Sequence, residues 1–217
     1  MNDHIAPRPP VLSPVRWVAR GAVMALALAG AAWVARALWH VRLAAAGMPD
    51  AGPLYRDGDR QRLPTPLEDG YHVVSSVGDV ATLICALTFL LWLQRLRDNA
   101  RTLSGRPPRY AGIWVYAGWI IPVANLWIPR GVVADIHHAG APEARLPRAV
   151  NWWWALWLVA MLSGTGLMYA DTTDEVIARA YDKVELLLAA DAAVIGAAVA
   201  AVFVVRALTA TQQRYAP

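Results

Sequence analysis

Cysteine, lysine and phenylalanine are nearly absent from this chain of 217 residues, which contains one Cys, one Lys and two Phe. The single thiol, Cys85, lies inside an apolar run, so one chain builds neither a disulfide framework nor a cysteine metal site. Charged residues are also scarce, at 17% of the sequence. These shortages exclude a disulfide-stapled fold and leave little sequence for a water-soluble domain.

Apolar residues are abundant, at 57% of the chain with a mean hydropathy of +0.34. They form runs long enough to cross about 30 Å of hydrocarbon at roughly 1.5 Å per residue. The sequence therefore predicts one all-α integral membrane domain over residues 16–213, after a disordered cytoplasmic tail over residues 1–15. We expect transmembrane helices near 16–41, 72–95, 150–170 and 184–208.

A further apolar segment, residues 110–128, is interrupted by proline. Pro122 and Pro129 bracket Asn125, and proline removes a helix donor and clashes with the preceding turn. The sequence predicts a helix broken at Pro122. Two arrangements remain open: four transmembrane helices plus a re-entrant segment over residues 111–140, or five transmembrane helices.

Positive charge is distributed unevenly along the chain. Five arginines lie within residues 95–109, which is typical of a cytoplasmic loop. A re-entrant segment puts thirteen of the twenty basic residues on the cytoplasmic side, whereas a fifth crossing puts ten there. The positive-inside rule favours the first arrangement, with both termini cytoplasmic. In the second, the N-terminus is still cytoplasmic and the C-terminus lies outside.

The basic residues also indicate location and partners. Nineteen of the twenty are Arg, and with abundant Ala this is typical of a high-GC bacterium, so we expect the bacterial cytoplasmic (inner) membrane. A net charge of +4 and a pI near 9.6 do not indicate nucleic acid, because the arginines flank apolar runs. There they set orientation and meet anionic lipid, so the lipid bilayer is the expected partner.

Three charged side chains, those of Arg36, Asp79 and Asp191, lie within predicted membrane helices, where charge is costly. We expect Arg36 to contact Asp79 or Asp191 at one shared depth. Two interpretations of the cluster are open: a structural contact between helices, or a functional ion or proton site. The broken-helix motif of Pro122, Asn125 and Pro129 likewise reads as a packed kink or as a transporter-like substrate site.

Small residues and tryptophans offer packing surfaces. Small residues four apart bring membrane helices close together, so the first and last helices are candidate partners. The small residues are Gly21, Ala25 and Ala29 in the first helix and Ala192, Gly196 and Ala200 in the last. Four tryptophans that open the 150–170 helix are expected to be interfacial anchors: Trp152, Trp153, Trp154 and Trp157.

Three segments carry a family resemblance: residues 89–100 (FLLWLQRLRDNA), 118–129 (GWIIPVANLWIP) and 150–158 (VNWWWALWL). In order and spacing they resemble the bacterial membrane proteins grouped as domain of unknown function 4328. The resemblance extends over about residues 17–213. It implies a membrane protein and gives no activity.

The sequence contains no nucleophile-base-orienter set, glycine-rich phosphate loop or dinucleotide fingerprint. We therefore expect a protein that is not an enzyme and that has no cofactor and no metal site. The predicted function is that of a multi-pass membrane component that assembles with itself as a homo-oligomer or with other membrane proteins. The alternative is a small transporter or ion-conducting protein that uses the intramembrane carboxylates.

Overall fold

The computed structural model describes residues 12–56, 59–105, 107–163 and 172–214. This part of the chain is mostly helical. The helices are α1 (Arg16–Ala46), α2 (Pro66–Ser104), α3 (Trp114–Ile120), α4 (Ile128–Gly140), α5 (Arg148–Leu162), α6 (Thr173–Asp182) and α7 (Val184–Gln213). A 3-10 turn spans Ala124–Leu126, and the two-residue strands β1 (Tyr55–Arg56) and β2 (Asp59–Arg60) pair antiparallel between α1 and α2.

The ends of α2 follow from local sequence. Thr65 caps the helix by accepting from the backbone N–H of Glu68, whose side chain accepts from the Thr65 N–H, and Pro66 occupies the first turn. Gly105 ends the helix in the left-handed conformation at φ 60°. These signals extend α2 beyond the predicted range of 72–95 at both ends.

α1 runs antiparallel to both α2 and α7. At one end, Asn99 of α2 hydrogen-bonds to Ser13, just before α1, and to Gln212 of α7. At the other end, His40 of α1 contacts Tyr71 of α2. We call these the Asn99 end and the His40 end. α5 packs on α7, with Leu156 against Gly196.

The predicted pairing of the first and last helices is confirmed, because α1 packs along α7. Gly30 of α1 lies where an added Cβ would be 3.7 Å from the Cβ of Ala198. Of the predicted stripe on α7, Ala200 is buried and Gly196 lies against Leu156 of α5, whereas Ala192 is exposed and the neighbouring Ala193 and Ala197 are buried.

Residues Trp114–Gly140, which we call the hairpin, start near the Asn99 end, run along the bundle and turn back to the same end. The hairpin follows Tyr110, whose carbonyl accepts from Arg97, and it finishes at Gly140, which lies against Thr211. At its tip, Trp119 packs on Phe89, ten residues or about 15 Å along α2 from Asn99. The broken segment thus turns back within the bundle, and its second half, α4, continues beyond the predicted limit of residue 128.

Within the described ranges, three helices, α1, α2 and α7, are long and apolar enough to cross a membrane. α5 has fifteen residues, and the rest of the predicted 150–170 helix, residues 164–170, lies outside the described residues, as do residues 1–11 of the predicted tail. A further helix, α6, lies between the predicted helices 150–170 and 184–208, and it begins with a second capping box formed by Thr172 and Glu175.

Candidate functional site

Five polar side chains from three helices form a connected network near the His40 end. Arg36 donates to Asp79 Oδ1 at 3.1 Å and lies 3.5 Å from the hydroxyl of Tyr71. His40 Nε2 is 2.8 Å from that hydroxyl, and His40 Nδ1 is 2.8 Å from Asp191 Oδ2. The path therefore joins a carboxylate of α2 to a carboxylate of α7 through α1.

One set of proton positions satisfies every contact along this path. A neutral His40 with its proton on Nδ1 donates to Asp191, and its Nε2 accepts from the Tyr71 hydroxyl. The Tyr71 oxygen in turn accepts from Arg36. The network then contains two carboxylates and one guanidinium, with a tyrosine and an imidazole between them.

Helix geometry places these groups together. Arg36 and His40 are four residues apart and share one face of α1. That face packs closely on α2 at Gly78, where an added Cβ would be in van der Waals contact with the Arg36 side chain at 3.4 Å. The guanidinium also lies 4.4 Å from the ring centroid of Trp33, whose indole donates to Thr82.

Burial differs sharply between the two ends of the network. His40 and Asp191 are 1% and 2% exposed, and Tyr71 is fully buried. The Asp79 side chain is 68% exposed, on the outer face of α2. The network thus runs from the surface of the bundle into its interior.

The structure brings together two of the three charged residues singled out in the sequence. Arg36 contacts Asp79, one of its two predicted partners, whereas Asp191 pairs with His40, one helical turn nearer the His40 end than Arg36. The expectation that all three share one depth is wrong for Asp191 because α1 supplies a second polar group there. His40 and Tyr71 were missed, although the spacing of Arg36 and His40 was a readable signal.

A polar cap covers the His40 end. Glu68 is fully buried and accepts from both terminal nitrogens of Arg62, from the Thr65 N–H and from the Tyr181 hydroxyl. The hydrogen bond to Glu68 raises the pKa of Arg62. Burial, with the same carboxylate, raises the pKa of Tyr181 to about 12.

Apolar side chains pack around the buried part of the network. Leu43, Leu54 and Ile177 are fully buried in one cluster with Tyr71. Farther towards the Asn99 end, Leu26, Phe89 and Leu93 belong to the main core. The interior end of the network therefore lies among apolar side chains.

The broken-helix motif forms the tip of the hairpin. Ile121 is extended before Pro122, as expected of a residue that precedes proline, and Pro129 sits in the first turn of α4. Asn125 donates to the Trp119 carbonyl at 3.2 Å, while its Oδ1 is buried without a partner among the described residues. The prolines thus end one helix and start the next around a buried amide.

The tryptophans of α5 hold this tip in place. Trp153 and Trp154 are 4% and 5% exposed, and both pack on Trp119. Trp154 also donates to the Leu126 carbonyl at 3.2 Å. Only Trp152 of this group is strongly exposed, at 65%, so the expected role as interfacial anchors is wrong for Trp153 and Trp154. They are buried because the hairpin docks on them.

A cavity of about 530 Å³ lies above the tip, between α1, α2, α5 and α7. Its walls include Trp33, Phe89, Trp119 and Trp157, and Asn125 and Thr82 contribute polar groups. Sequence reasoning singled out Asn125 but not the cavity, which exists only once the hairpin is folded back.

Comparison with known proteins gives one match. The family described as Domain of unknown function (DUF4328) matches residues 68–210, which include the hairpin, α5, and the Tyr71, Asp79 and Asp191 side chains. No curated protein and no solved structure matches the chain. Because the matched range covers well over half of the sequence, the chain belongs to the DUF4328 family.

Proposed function

We propose that this protein is a non-enzymatic, multi-pass component of the bacterial inner membrane that assembles with a second copy of itself through the outer face of α2. The observation that carries the proposal is the exposure of the Asp79 side chain, 68%, on a helix face where the other exposed residues of 73–87 are apolar except Ser76. Lipid covers apolar side chains well but accommodates a carboxylate poorly.

The face around Asp79 is continuous. Val80 and Leu83 are 58% and 61% exposed, and Val77 and Leu87 extend the same apolar surface in the two directions. Trp153, Trp154 and most residues of the small-residue stripes do not offer comparable surfaces, because they are packed inside the chain. Of the stripes, only Gly21 and Ala192 are exposed. The face of α2 is therefore the best-supported surface for assembly.

A second copy suits this face electrostatically. A second copy would cover the Arg36–Asp79 pair, whose contact at 3.1 Å already balances the carboxylate within each copy. Association then removes the exposed carboxylate from lipid without burying a net charge. In a low-dielectric surrounding, this arrangement favours association.

Cysteine crosslinking in native membranes tests the proposal. In a Cys85→Ala background, Leu83→Cys should give a disulfide-linked dimer under mild oxidation, whereas Val199→Cys, which is 54% exposed on α7, should not. Adding Asp79→Asn to Leu83→Cys should weaken dimerisation by about three- to tenfold. Equal crosslinking at Leu83→Cys and Val199→Cys, or none at Leu83→Cys, would contradict self-assembly through α2. A disulfide adduct of Leu83→Cys with another protein would show that α2 assembles with that protein instead of with a second copy.

The alternative, a small transporter or ion-conducting protein, draws support from the network that links Asp79 to Asp191. Among the described residues, however, Leu26, Phe89 and Leu93 lie in the core between the network and Arg97, and no charged side chain lines the cavity there. Proton flux into liposomes separates the two functions. Proton flux that requires Asp79 would favour transport. No proton flux from protein that still dimerises would favour assembly.

A further inference from the structure

A second cavity, of about 660 Å³, lies at the Asn99 end, beside the loop that joins α2 to the hairpin. Its inner wall consists of the buried side chains of Arg97, Ala100 and Ile136. Arg109 and His138 also line it and are exposed, so the cavity is open to the surroundings. Its volume falls within the roughly 300–1,000 Å³ range of sites that hold one small molecule.

The positive charge of Arg97 has no carboxylate partner in the described ranges. Arg97 is 9% exposed, and its one hydrogen bond to a described residue runs from Nη2 to the Tyr110 carbonyl at 2.9 Å. Its Nε is sealed off, whereas Nη1 retains accessible surface and donates to no described residue. A buried charge is costly unless an opposite charge lies close to it. The cavity is the space from which an anion can reach this guanidinium.

The described side chains that line the cavity carry one positive charge in excess, with His138 counted as neutral. Two are the guanidinium groups of Arg97 and Arg109, and one is the carboxylate of Asp135. Asp135 Oδ2 accepts from the backbone N–H of Arg109 at 2.9 Å, but among the described residues neither guanidinium forms an ion pair. A ligand that carries one negative charge therefore neutralises the cavity.

The cavity lies at the depth of lipid headgroups when the apolar run of α2 spans the hydrocarbon. Arg97 is four residues past Leu93, the end of that run, or about 6 Å along the helix axis. The headgroup layer extends roughly 5–8 Å beyond the hydrocarbon on each side. Guanidinium groups bind phosphate through paired hydrogen bonds. Depth and charge together therefore indicate a lipid phosphate.

We infer that this cavity binds a phosphodiester that carries one negative charge, as in the headgroup of phosphatidylglycerol. The phosphate accepts from Nη1 of Arg97 and from the guanidinium of Arg109. A choline or ethanolamine phospholipid is neutral overall and leaves the excess charge of the cavity unbalanced. The site is eighteen residues, about 27 Å, from Asp79 along α2, so it does not rest on self-assembly through the face around Asp79.

Native mass spectrometry of the full chain, released from detergent micelles, tests the inference by counting bound lipids. Phosphatidylglycerol should bind about tenfold more tightly than phosphatidylcholine with the same acyl chains, because only phosphatidylglycerol neutralises the cavity. Glycerophosphoglycerol, the same headgroup without acyl chains, distinguishes a membrane lipid from a soluble ligand. Weaker binding of glycerophosphoglycerol than of phosphatidylglycerol would assign the site to lipid, and equal binding would assign it to a soluble phosphodiester.

Charge variants locate the anion. Arg109→Gln should weaken phosphatidylglycerol binding by about three- to tenfold. Arg101→Gln removes the same charge from an exposed position of α2 outside the cavity lining, and should change binding by less than about twofold. Asp135→Asn keeps an acceptor for the Arg109 N–H but removes the negative charge, so it should strengthen binding by about two- to fivefold. Loss of a purely structural contact would not strengthen binding.

Three results would overturn the inference. They are equal binding of phosphatidylcholine and phosphatidylglycerol, equal weakening by Arg109→Gln and Arg101→Gln, and unchanged or weaker binding in a folded Asp135→Asn protein. Arg109 is exposed, so Arg109→Gln leaves the core intact. If Asp135→Asn does not fold, the lipid series and the pair of arginine variants still decide the matter.

Discussion

His40 is the residue on which the polar network most depends, because both of its ring nitrogens are hydrogen-bonded and it is 1% exposed. His40→Ala leaves Asp191 and Tyr71 buried without this partner. We expect a loss of about 2–4 kcal/mol in the free energy of unfolding. Equilibrium unfolding by SDS in mixed micelles measures it.

A double-mutant cycle gives the control. Adding Asp191→Leu to His40→Ala removes the stranded carboxylate, so the double variant should be more stable than the His40→Ala protein. Asp79→Asn should cost less than His40→Ala, since the Asp79 side chain is largely exposed. Strictly additive losses in the cycle would show that His40 and Asp191 do not interact.

Tyr181 gives the polar cap a dependence on alkaline pH. Its pKa is raised from 10.0 to about 12 by burial and by Glu68, so folding favours the protonated hydroxyl. The contribution is complete below pH 10 and is lost as the pH rises towards 12. Tyr181→Phe should flatten the fall in unfolding free energy over this window. An unchanged pH profile in Tyr181→Phe would exclude this tyrosine as the titrating group.

At the scale of the element, the hairpin depends on two glycines. A Cβ at Gly131 would lie 2.7 Å from Tyr110 Cζ, and one at Gly118 would lie 2.9 Å from the Ile128 side chain. Gly131→Ala should therefore destabilise the hairpin by about 1–3 kcal/mol. Hydrogen exchange of the backbone amides of residues 110–140 should rise more than that of α1.

A second substitution tests the cause. Tyr110→Ala removes the obstructing ring, so Gly131→Ala should cost less in that background than in the native chain. Gly21→Ala is the matched control, because nothing lies within 4 Å of the added Cβ there. If Gly131→Ala costs the same with and without Tyr110, steric contact is not what excludes a side chain at residue 131.

The elements differed in how far the sequence predicted them. α1 and α7 could be placed by apolar run length, and the break at Pro122 followed from proline chemistry. α6 was missed because it is short and polar, although Thr172 and Glu175 form the same capping box as Thr65 and Glu68. The capping box was present in the sequence, but no apolar run followed it to indicate a helix.

The candidate site was predictable only in part. Membrane helices bury charge in pairs, so a contact of Arg36 with a carboxylate could be expected. Which carboxylate Arg36 contacts depends on how α2 and α7 are rotated about their axes. The spacing of small residues predicts that rotation only to within about one residue position. The burial of Trp153 and Trp154 and the cavity beside them depend on the docked hairpin, a tertiary contact that local pattern does not encode.

At the scale of the whole molecule, the structure constrains topology. The start of α1, the end of α2, the end of the hairpin and the end of α7 all lie at the Asn99 end. In the described part of the chain, basic residues are gathered towards this end, including Arg95, Arg97 and Arg101 of α2. By the positive-inside rule we expect this end to face the cytoplasm.

This topology predicts which sites are open to a membrane-impermeant maleimide. In a Cys85→Ala background, Asp50→Cys, exposed after α1, should be labelled in intact spheroplasts, whereas Glu143→Cys, exposed between the hairpin and α5, should be labelled only after lysis. A fluorescent protein fused after Pro217 should be active in the cytoplasm, and alkaline phosphatase fused there should be inactive. Five crossings would reverse the results at Glu143 and Pro217 but not at Asp50. Labelling of Glu143→Cys in intact spheroplasts would therefore mean that the hairpin segment crosses the membrane.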